Sequence, residues 1–286
     1  MSDEQEDIQS LLDSPSYVLA EQDLQFLARR ELRPVRMQLE LLKPELAFAE
    51  QNIDSTIVVF GATSICERKV AVERLDAVRA LLAKSPNDER LVRKVAIAER
   101  VLAKSRFYDD AREFARIVST LGQQQDGKRE YVVVTGGGPG IMEAANRGAH
   151  DVGAKSIGLN ITLPAEQLPN RYITPSLCFR FHYFALRKLH FLLRAQALVV
   201  FPGGFGTLDE FFDAITLRQT RNMQEIPIIM YGREYWEHVI DFQFLADEGV
   251  IADEHLKLFE YADTPQQAWE IIARFHAAKT APGDRA

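Results

Sequence analysis

The stretch from Ala197 to Ile215, ALVVFPGGFGTLDEFFDAI, sets an acidic side chain close to a glycine-rich loop. An apolar run typical of a buried strand enters the loop, and a helical pattern leaves it with Glu210 near its start. A carboxylate there could stabilise positive charge that develops on a bound substrate. It could also cap the helix, because Thr207 and Glu210 have the S/T-x-x-E spacing of a capping box. Spacing alone favours the cap, but the two roles are compatible.

Three loops could form a ligand-binding edge, since each follows an apolar, strand-like segment. They are residues 61–64 (GATS), 135–140 (TGGGPG) and 202–207 (PGGFGT). In a parallel sheet such loops lie at the carboxyl ends of the strands, where ligands bind. Glycine lets backbone N–H groups approach a phosphate closely, and a following helix adds the positive end of its dipole. The predicted phosphate-binding residues are Gly136, Gly137, Gly138, Gly140, Gly203, Gly204, Gly206 and Thr207.

The alternative is that these loops are tight turns that need glycine only for their backbone conformation. One such loop would leave the two interpretations equal, whereas two loops at the ends of apolar strands favour a phosphate-bearing ligand. Neither glycine cluster ends in Gly-Lys-Ser/Thr, so a Walker loop is excluded. The dinucleotide pattern G-x-G-x-x-G is also not matched in its usual place after the first strand.

A polar stripe recurs at helical spacing in a helix predicted from about Phe181 to Arg194. Its members are Arg180, Tyr183, Arg187, His190 and Arg194. Arginine is a natural bidentate partner of phosphate, although a stripe that faces solvent or another subunit would have the same pattern. The opposite face is expected to be core, formed by Phe181, Phe184, Ala185, Leu189, Leu192 and Leu193.

The elements that must position these residues alternate between strand and helix from residue 55 onward. Five apolar segments predict strands: STIVVF, EYVVVT, KSIGLNI, ALVVF and IPIIMY. This alternation predicts an α/β fold with a doubly wound, mostly parallel, Rossmann-like sheet. We expect residues 55–280 to form this domain, with a helical insertion at about 67–105. Residues 1–54 should form a helical N-terminal extension that Pro34 and Pro44 break or kink.

The composition is that of an ordinary globular protein. The 286 residues are 47% hydrophobic and 26% charged, and the net charge of −7 disfavours nucleic acid as a partner. Cys66 and Cys178 are far apart, which argues against a disulfide framework and fits a reducing cytoplasm. The N-terminus lacks a signal-peptide pattern, and no apolar run reaches the ~20 residues needed to span a bilayer. We expect a cytoplasmic protein with no membrane partner. We also expect no metal, since His150, His182 and His190 lack ligand spacing.

These motifs resemble the LONELY GUY family, long mislabelled as lysine decarboxylases. GGGPGIMEAANRGA, the Arg-Lys pair at 187–188 and PGGFGTLDE occur in the family's order, and its signature PGGxGTxxE is matched over 202–210. The resemblance spans about Ser55 to Tyr231 and is strongest to longer bacterial members with a helical extension. It implies an enzyme that hydrolyses the N-glycosidic bond of a nucleoside 5′-monophosphate, either AMP or a cytokinin nucleotide. The products would be free base and ribose 5-phosphate.

The resemblance also implies roles for individual residues. Catalysis falls on Arg187 and Glu210, and no cofactor is needed. The glycines and Thr207 fall on the phosphate loops. Ser64, Glu143 and Lys188 are further candidates for contact with the ribose or the base, although Glu143 could equally be an acid that suits a helix N-terminus.

Two departures from the family leave the base specificity open. Residues 184–186 are Phe-Ala-Leu where short members have Met-His-Glu, and Phe191 replaces a methionine. A competing function is a non-catalytic carrier of a nucleotide or of the molybdenum cofactor, which would not require the Arg187–Glu210 pair. A purely structural scaffold would leave both glycine loops unexplained. The extension and the apolar helix faces indicate a homo-oligomer, a dimer or larger.

Overall fold

Seven parallel strands form one sheet in the computed structural model, which describes residues 3–123, 127–162 and 168–280. The strands are β1 (Thr56–Phe60), β2 (Val132–Thr135), β3 (Ser156–Ile161), β4 (Cys178–Phe181), β5 (Ala195–Val200), β6 (Ile228–Tyr231) and β7 (Glu260–Ala262). Their order is β4-β3-β2-β1-β5-β6-β7, and each of these neighbouring pairs is parallel. The predicted doubly wound α/β fold is confirmed.

Helices precede, connect and follow the strands. They are α1 (Asp3–Leu12), α2 (Leu24–Leu27), α3 (Arg33–Glu50), α4 (Arg68–Lys84), α5 (Glu89–Ala103), α6 (Arg106–Gly122), α7 (Ile141–Asp151), α8 (Phe184–Leu193), α9 (Phe205–Gln219), α10 (Arg233–Val239), α11 (Phe242–Asp247) and α12 (Pro265–Thr280). The segment predicted as an insertion contains α4 and α5, with Asp88 as the N-cap of α5.

The chain divides into two compact units, Met1–Glu45 and Leu46–Ala286. The first unit contains α1, α2 and most of α3. Within it, the Arg36 guanidinium donates hydrogen bonds to the backbone carbonyls of Leu27 at 2.5 Å and Arg29 at 2.7 Å. One charged side chain thereby ties the start of α3 to the segment that follows α2.

The predicted breaks at the two prolines differ in outcome, because α3 begins at Arg33, next to Pro34, but runs on past Pro44 without ending. Pro34 lies in the first turn, where the missing N–H would have had no partner within the helix. Pro44 lies inside the helix and removes one backbone hydrogen bond without ending it. The turns on either side of Pro44 maintain the helix.

The central strands are buried on both faces, as expected for a parallel sheet covered by helices. Ile57 of β1 belongs to a core cluster that includes Phe114 of α6 and Ile141 of α7. On the opposite face, the Phe60 ring packs edge-on against Phe191 of α8, with 4.8 Å between ring centroids. The strands therefore provide a rigid base for the loops at their carboxyl ends.

The direction of chain progression through the sheet reverses at β1. From β1 the chain moves through β2, β3 and β4 to one edge, and then returns to β5 on the other side of β1. Val58 pairs with Leu198 and Phe60 with Val200, so the loops that follow β1 and β5 leave the sheet side by side. This topological switch point is the place where open α/β sheets bind ligands.

Two short edge strands were not predicted from the sequence. β4 has four residues and β7 has three, and each contains a charged residue, so neither forms the uninterrupted apolar run that marks the central strands. The predicted helix from Phe181 begins at Phe184 instead, and Arg180 lies in β4 with an exposed side chain. Arg180 is therefore not part of a helical stripe. The sequence pattern over residues 233–249 predicts one helix, but the segment forms two, because Asp241 caps a new helix, α11.

The polarity of α8 is opposite to the prediction. His190 from the polar stripe is only 3% exposed, whereas Phe184, Leu189 and Leu193 from the expected core face are 50%, 41% and 46% exposed. Helical spacing shows which residues share a face but does not show which face is buried. In α8 the buried face includes Arg187, which has polar partners inside the protein.

Candidate active site

A cleft opens at the switch point between β1 and β5. The backbone N–H of Ala62 donates to the carbonyl of Pro202 at 3.0 Å, and that of Ile141 donates to the carbonyl of Ala62 at 3.1 Å. These bonds draw together the loops after β1, β2 and β5. The cleft has a volume of about 410 Å³ and is lined by Phe60, Gly61, Ala62, Thr63, Ser64, Met142, Phe184, Arg187, Gly204, Phe205, Gly206, Thr207, Asp209 and Glu210.

Arg187 and Glu210 form a buried ion pair in the wall of this cleft. Arg187 Nη1 lies 3.4 Å from Glu210 Oε1, and the two side chains are 13% and 10% exposed. Arg187 Nε donates to the carbonyl of Leu159 at 2.8 Å, and its guanidinium lies over the Phe191 ring at 5.0 Å from the centroid. The arginine is thus fixed by β3 and α8, while its contact with the carboxylate is comparatively long.

Burial dominates the electrostatics of this pair. It raises the pKa of Glu210 to about 7, although the positive charges of Arg187 and Lys188 act in the opposite direction. Burial also lowers the pKa of the Arg187 guanidinium. A carboxyl group that titrates near neutral pH can accept a proton from a substrate or a water molecule and return it. The pair therefore has the properties of an acid–base site.

The capping-box interpretation of Glu210 is wrong, because α9 begins earlier than that motif requires. Its first residue is Phe205, its N-cap is Gly204, and no side chain caps it. Thr207 is consequently the third helical residue and Glu210 the sixth, one turn too late to reach the N-cap N–H. The Thr207 side chain instead packs closely over Gly203, where an added Cβ would clash with it.

The N-terminus of α9 is open to a ligand. A Cβ added at Gly204 or at Gly206 would meet no atom within 4 Å, and both glycines line the cleft with Thr207. The first N–H groups of a helix lack partners within the helix, and here no side chain replaces them. Gly203 differs, because it is buried and its carbonyl accepts a 2.7 Å hydrogen bond from the Tyr235 hydroxyl. This edge can bind an anion through backbone N–H groups.

A buried polar network fixes the other glycine loop. The Thr135 hydroxyl accepts from the Gly137 N–H at 3.0 Å and donates to Asn146 Oδ1 at 2.7 Å. Asn170 Nδ2 donates to the carbonyls of Gly137 at 3.2 Å and Gly138 at 3.1 Å. Gly137 has a φ of +76°, a conformation that favours glycine. These hydrogen bonds therefore fix the backbone conformation of the loop.

This second loop also confines the ion-pair arginine. A Cβ at Gly136 would lie 2.6 Å from Arg187 Nη2, so a larger residue there would displace the guanidinium from its present position. None of the residues 136–140 is among those that line the cleft. Their predicted contact with phosphate stays a prediction, and their visible effect is on the position of Arg187.

The three tentative ribose or base contacts lie in different places. Ser64 is exposed and lines the cleft. Glu143 accepts a 3.0 Å hydrogen bond from the Tyr108 hydroxyl and is not part of the cleft lining. Lys188 is also outside that lining, and its ammonium forms a 2.9 Å ion pair with Asp209. Among the three, Ser64 alone joins Arg187 and Glu210 at the cleft.

Sequence reasoning missed the aromatic residues of the cleft. Phe205 is 93% exposed and Phe184 is 50% exposed, and both line the cleft. Phe205 occupies the variable position of PGGxGTxxE, so a large apolar side chain in a loop expected to face solvent was the available signal. Phe184 gave no such signal, because the pattern of α8 assigned it to the core.

Within residues 3–123, 127–162 and 168–280, no helix is long and apolar enough to cross a membrane. The same residues contain no group of three or more His, Cys, Asp or Glu side chains arranged to hold a metal ion. Of the histidines, His190 is buried against the Phe181 ring, and the His150 ring contacts Tyr172.

Comparison with known proteins gives a family match over residues 142–272, to the model described as "possible lysine decarboxylase". A rice (Oryza sativa subsp. japonica) protein named as a probable cytokinin riboside 5′-monophosphate phosphoribohydrolase is 31% identical over 103 residues. That match covers 35% of this chain and 41% of the relative, so it spans less than half of the rice protein.

Solved structures show more distant likeness. A molybdenum cofactor binding protein from Rippkaea orientalis is 18% identical with a TM-score of 0.43, over 59% of this chain and 88% of that one. The protein TM1055 is 20% identical with a TM-score of 0.45, over 77% and 99% of the two chains. A molybdenum cofactor carrier protein from Chlamydomonas reinhardtii is 19% identical with a TM-score of 0.42, over 60% and 89%.

The family match contains the Arg-Lys pair and the whole of PGGxGTxxE, two of the three motifs on which the resemblance rested, and begins at Met142 inside the third. It includes both members of the buried ion pair, Arg187 and Glu210. The part of the chain from residue 142 to residue 272 is thus similar to the family whose model is described as "possible lysine decarboxylase", and the partial match to the rice protein agrees with the resemblance to the LONELY GUY family.

Proposed function

We propose that this protein hydrolyses the N-glycosidic bond of a nucleoside 5′-monophosphate, AMP or a cytokinin riboside 5′-monophosphate, to free base and ribose 5-phosphate. The observation that carries the proposal is the buried Arg187–Glu210 pair in the wall of a cleft beside the open N-terminus of α9. The name of the rice relative supports the reaction class. A binding protein would have no need of a buried carboxyl that titrates near neutral pH.

The cleft offers each part of such a substrate a suitable surface. The 5′-phosphate would accept hydrogen bonds from backbone N–H groups at the start of α9, around Gly204, Gly206 and Thr207. The ribose would then lie toward Glu210, one turn further along the helix. The exposed ring of Phe205 can stack on the base, since aromatic rings accept bases without a strict sequence preference.

Cleavage of the C1′–N bond builds positive charge on the ribose, as in other glycosidic cleavages. The Glu210 carboxylate would stabilise that charge and accept a proton from the water molecule that attacks C1′. The electron pair of the broken bond stays on the base nitrogen, which takes up a proton from solvent as it leaves. Glu210 then releases to solvent the proton that it took from water, so the net reaction consumes one water molecule.

Arg187 would act by holding Glu210 and the substrate in place. Its hydrogen bond to the carbonyl of Leu159 fixes the guanidinium and leaves Nη1 directed at the carboxylate. The positive charge also limits how far burial raises the pKa of Glu210. A fraction of Glu210 is therefore ionised near neutral pH and able to act as a base.

The test is release of free base from a panel of nucleoside 5′-monophosphates by wild type, Glu210→Gln and Glu248→Gln. Glu248 is an exposed glutamate at the end of α11 and serves as the control for the charge change. We expect wild type and Glu248→Gln to release base at equal rates, and Glu210→Gln to lose turnover while it remains folded in a thermal melt. The panel then ranks adenine against cytokinin bases.

Failure of the proposal has a distinct signature. If a monophosphate raises the melting temperature of wild type but no base is released from any member of the panel, the protein binds nucleotides without hydrolysing them. If folded Glu210→Gln released base as fast as wild type, the protein would still be a hydrolase, but the carboxyl would have no catalytic part and the proposed mechanism would fail.

A further inference from the structure

A second depression adjoins the cleft on the far side of the glycine loop. It has a volume of about 230 Å³ and shares Ala62, Ser64 and Gly204 with the cleft. Its outer wall is α5, the second helix of the predicted insertion, which contributes Arg100 and leads into Lys104. The insertion therefore reaches the loop that begins α9.

The charges of the two hollows are opposite. The charged residues that line the cleft are Arg187, Asp209 and Glu210, so acids exceed bases there. Those that line the adjoining depression are Arg100 and Lys104, both cations. A nucleotide phosphate carries up to two negative charges, and the acids of the cleft repel it. Cations beside the glycine loop would offset that repulsion.

The two cations are not neutralised by the protein. Within the described part of the chain, no carboxylate lies within 4 Å of the charged groups of Arg100 or Lys104, whereas Arg79 of α4 pairs with Glu99 of α5 at 2.7 Å. Lys104 Nζ lies 6.0 Å from the centroid of Tyr235. The aromatic ring thus holds the lysine near the loop but leaves its ammonium able to meet an anion.

The same tyrosine fixes the backbone of the loop. Its hydroxyl donates to the carbonyl of Gly203, on the side of the loop that faces the depression. With that carbonyl engaged, the groups left at the start of α9 are N–H donors, beginning at the N-cap Gly204. Backbone donors and side-chain cations therefore flank one position at the junction of the two hollows.

We propose that Arg100 and Lys104 form a phosphate-binding subsite at this junction and contact the 5′-phosphate of the nucleotide. This inference rests on the proposed function, because it names what binds the non-reacting end of that substrate. The insertion thereby adds two cations to a phosphate site that the glycine loop alone would build from backbone N–H groups. It also supplies local positive charge on a protein with a net charge of −7.

The experiment compares wild type with Arg100→Gln/Lys104→Gln and with the control Arg93→Gln/Lys94→Gln. The control removes the same charge from exposed positions nearer the start of α5, about 10 Å or more from Arg100 and Lys104 along the helix axis. Inhibition constants for ribose 5-phosphate and for adenine are measured against AMP hydrolysis. These two compounds separate the phosphate-bearing half of the substrate from the base.

We expect the inhibition constant for ribose 5-phosphate to rise about tenfold or more in the Arg100→Gln/Lys104→Gln variant, since each charge-assisted contact contributes about a factor of ten to binding. The KM for AMP should rise with it, while inhibition by adenine stays unchanged. The control variant should match wild type. Unchanged affinity for ribose 5-phosphate, or an equal loss in the control, would overturn the subsite.

A calorimetric titration with AMP and with ribose 5-phosphate keeps the inference testable if no nucleotide is hydrolysed. In that case the proposed reaction fails, but loss of heat signal in Arg100→Gln/Lys104→Gln and not in the control still supports the subsite. If wild type binds neither compound, the subsite is overturned as well. The two proposals can therefore fail separately.

Discussion

Replacing Glu210 by glutamine should abolish base release and, above neutral pH, make the fold more stable. The side chain is 10% exposed, and burial raises its pKa from 4.5 to about 7. Glutamine has nearly the same shape as the protonated carboxyl and cannot ionise. The variant therefore resembles the acid form of wild type at every pH, and the two proteins should diverge as Glu210 loses its proton.

The direction in which the free energy of unfolding changes with pH follows from proton uptake by Glu210. Between pH 4.5 and about 7 the unfolded chain has released the Glu210 proton and the folded chain retains it, so the free energy of unfolding falls as pH rises. The contribution is fully present below pH 4.5 and is lost above about 7. The full difference corresponds to about 3 kcal/mol. Between pH 5 and pH 8.5 the accessible part is about 2–3 kcal/mol.

The measurement is urea-induced unfolding of wild type, Glu210→Gln and the Glu248→Gln control at pH 5 and at pH 8.5. The quantity of interest is the change with pH in the stability difference between variant and wild type, because it cancels any fixed cost of the replacement. We expect Glu210→Gln to gain about 2–3 kcal/mol relative to wild type at the higher pH. The control should give no such change.

A stability difference that does not rise with pH would refute this reasoning. If the ion pair with Arg187 were net stabilising, the folded pKa of Glu210 would lie below its unfolded value, and glutamine would cost stability at both pH values because it leaves a buried guanidinium without its partner. The structure argues against this, because the contact is 3.4 Å long and burial outweighs the attraction. The wild-type kcat/KM for AMP should also fall about tenfold per pH unit below about 7.

Three further substitutions probe the cleft and the glycine loop after β2. Arg187→Lys should lower kcat by about 100-fold in a folded protein. Lysine has no planar guanidinium that can donate to the carbonyl of Leu159 and contact the Glu210 carboxylate at the same time. Unchanged base release in the same assay would contradict this prediction. Phe205→Ala should leave the melting temperature unchanged, since the ring is 93% exposed, and raise the KM for AMP about tenfold through lost stacking. An unchanged KM would remove Phe205 from the base site. Gly137→Ala should cost about 1–3 kcal/mol in urea unfolding, because φ is +76° and the new Cβ would lie 2.5 Å from Asn160 Oδ1; equal stability would show that the loop can relax.

The sheet was predictable because its central strands are buried on both faces. Such strands appear as uninterrupted apolar runs, as in the β-branched segment of β1, and the five predicted runs all became strands. The edge strands β4 and β7 escaped prediction because each contains a charged residue, Arg180 or Glu260, and so forms no uninterrupted apolar run. The strand order, and with it the switch point, depends on long-range pairing that a local pattern cannot encode.

The site was predictable only in part. Without the family resemblance, the glycine loops indicate a phosphate-binding α/β protein and no reaction. Arg187 and Glu210 are separated by 23 positions in the sequence, and nothing local indicates that they meet. The orientation of α8 was predicted the wrong way round, because its exposed face carries Phe184 and Leu189 while Arg187 lies inside. Arg187 can lie inside because it has polar partners there, and these partners become visible only in the folded chain.

The starting point of α9 explains how one short segment can serve two functions. Had Thr207 been the N-cap, Glu210 would occupy the first turn, where the helix dipole stabilises the ionised form and lowers the pKa. It would also bond to the N–H groups that a phosphate needs. Because the helix begins at Phe205, the first-turn N–H groups stay uncapped, and Glu210 lies one turn deeper, where burial raises its pKa. Two residues of helix thus separate an anion-binding end from an acid–base group, and both face one cleft.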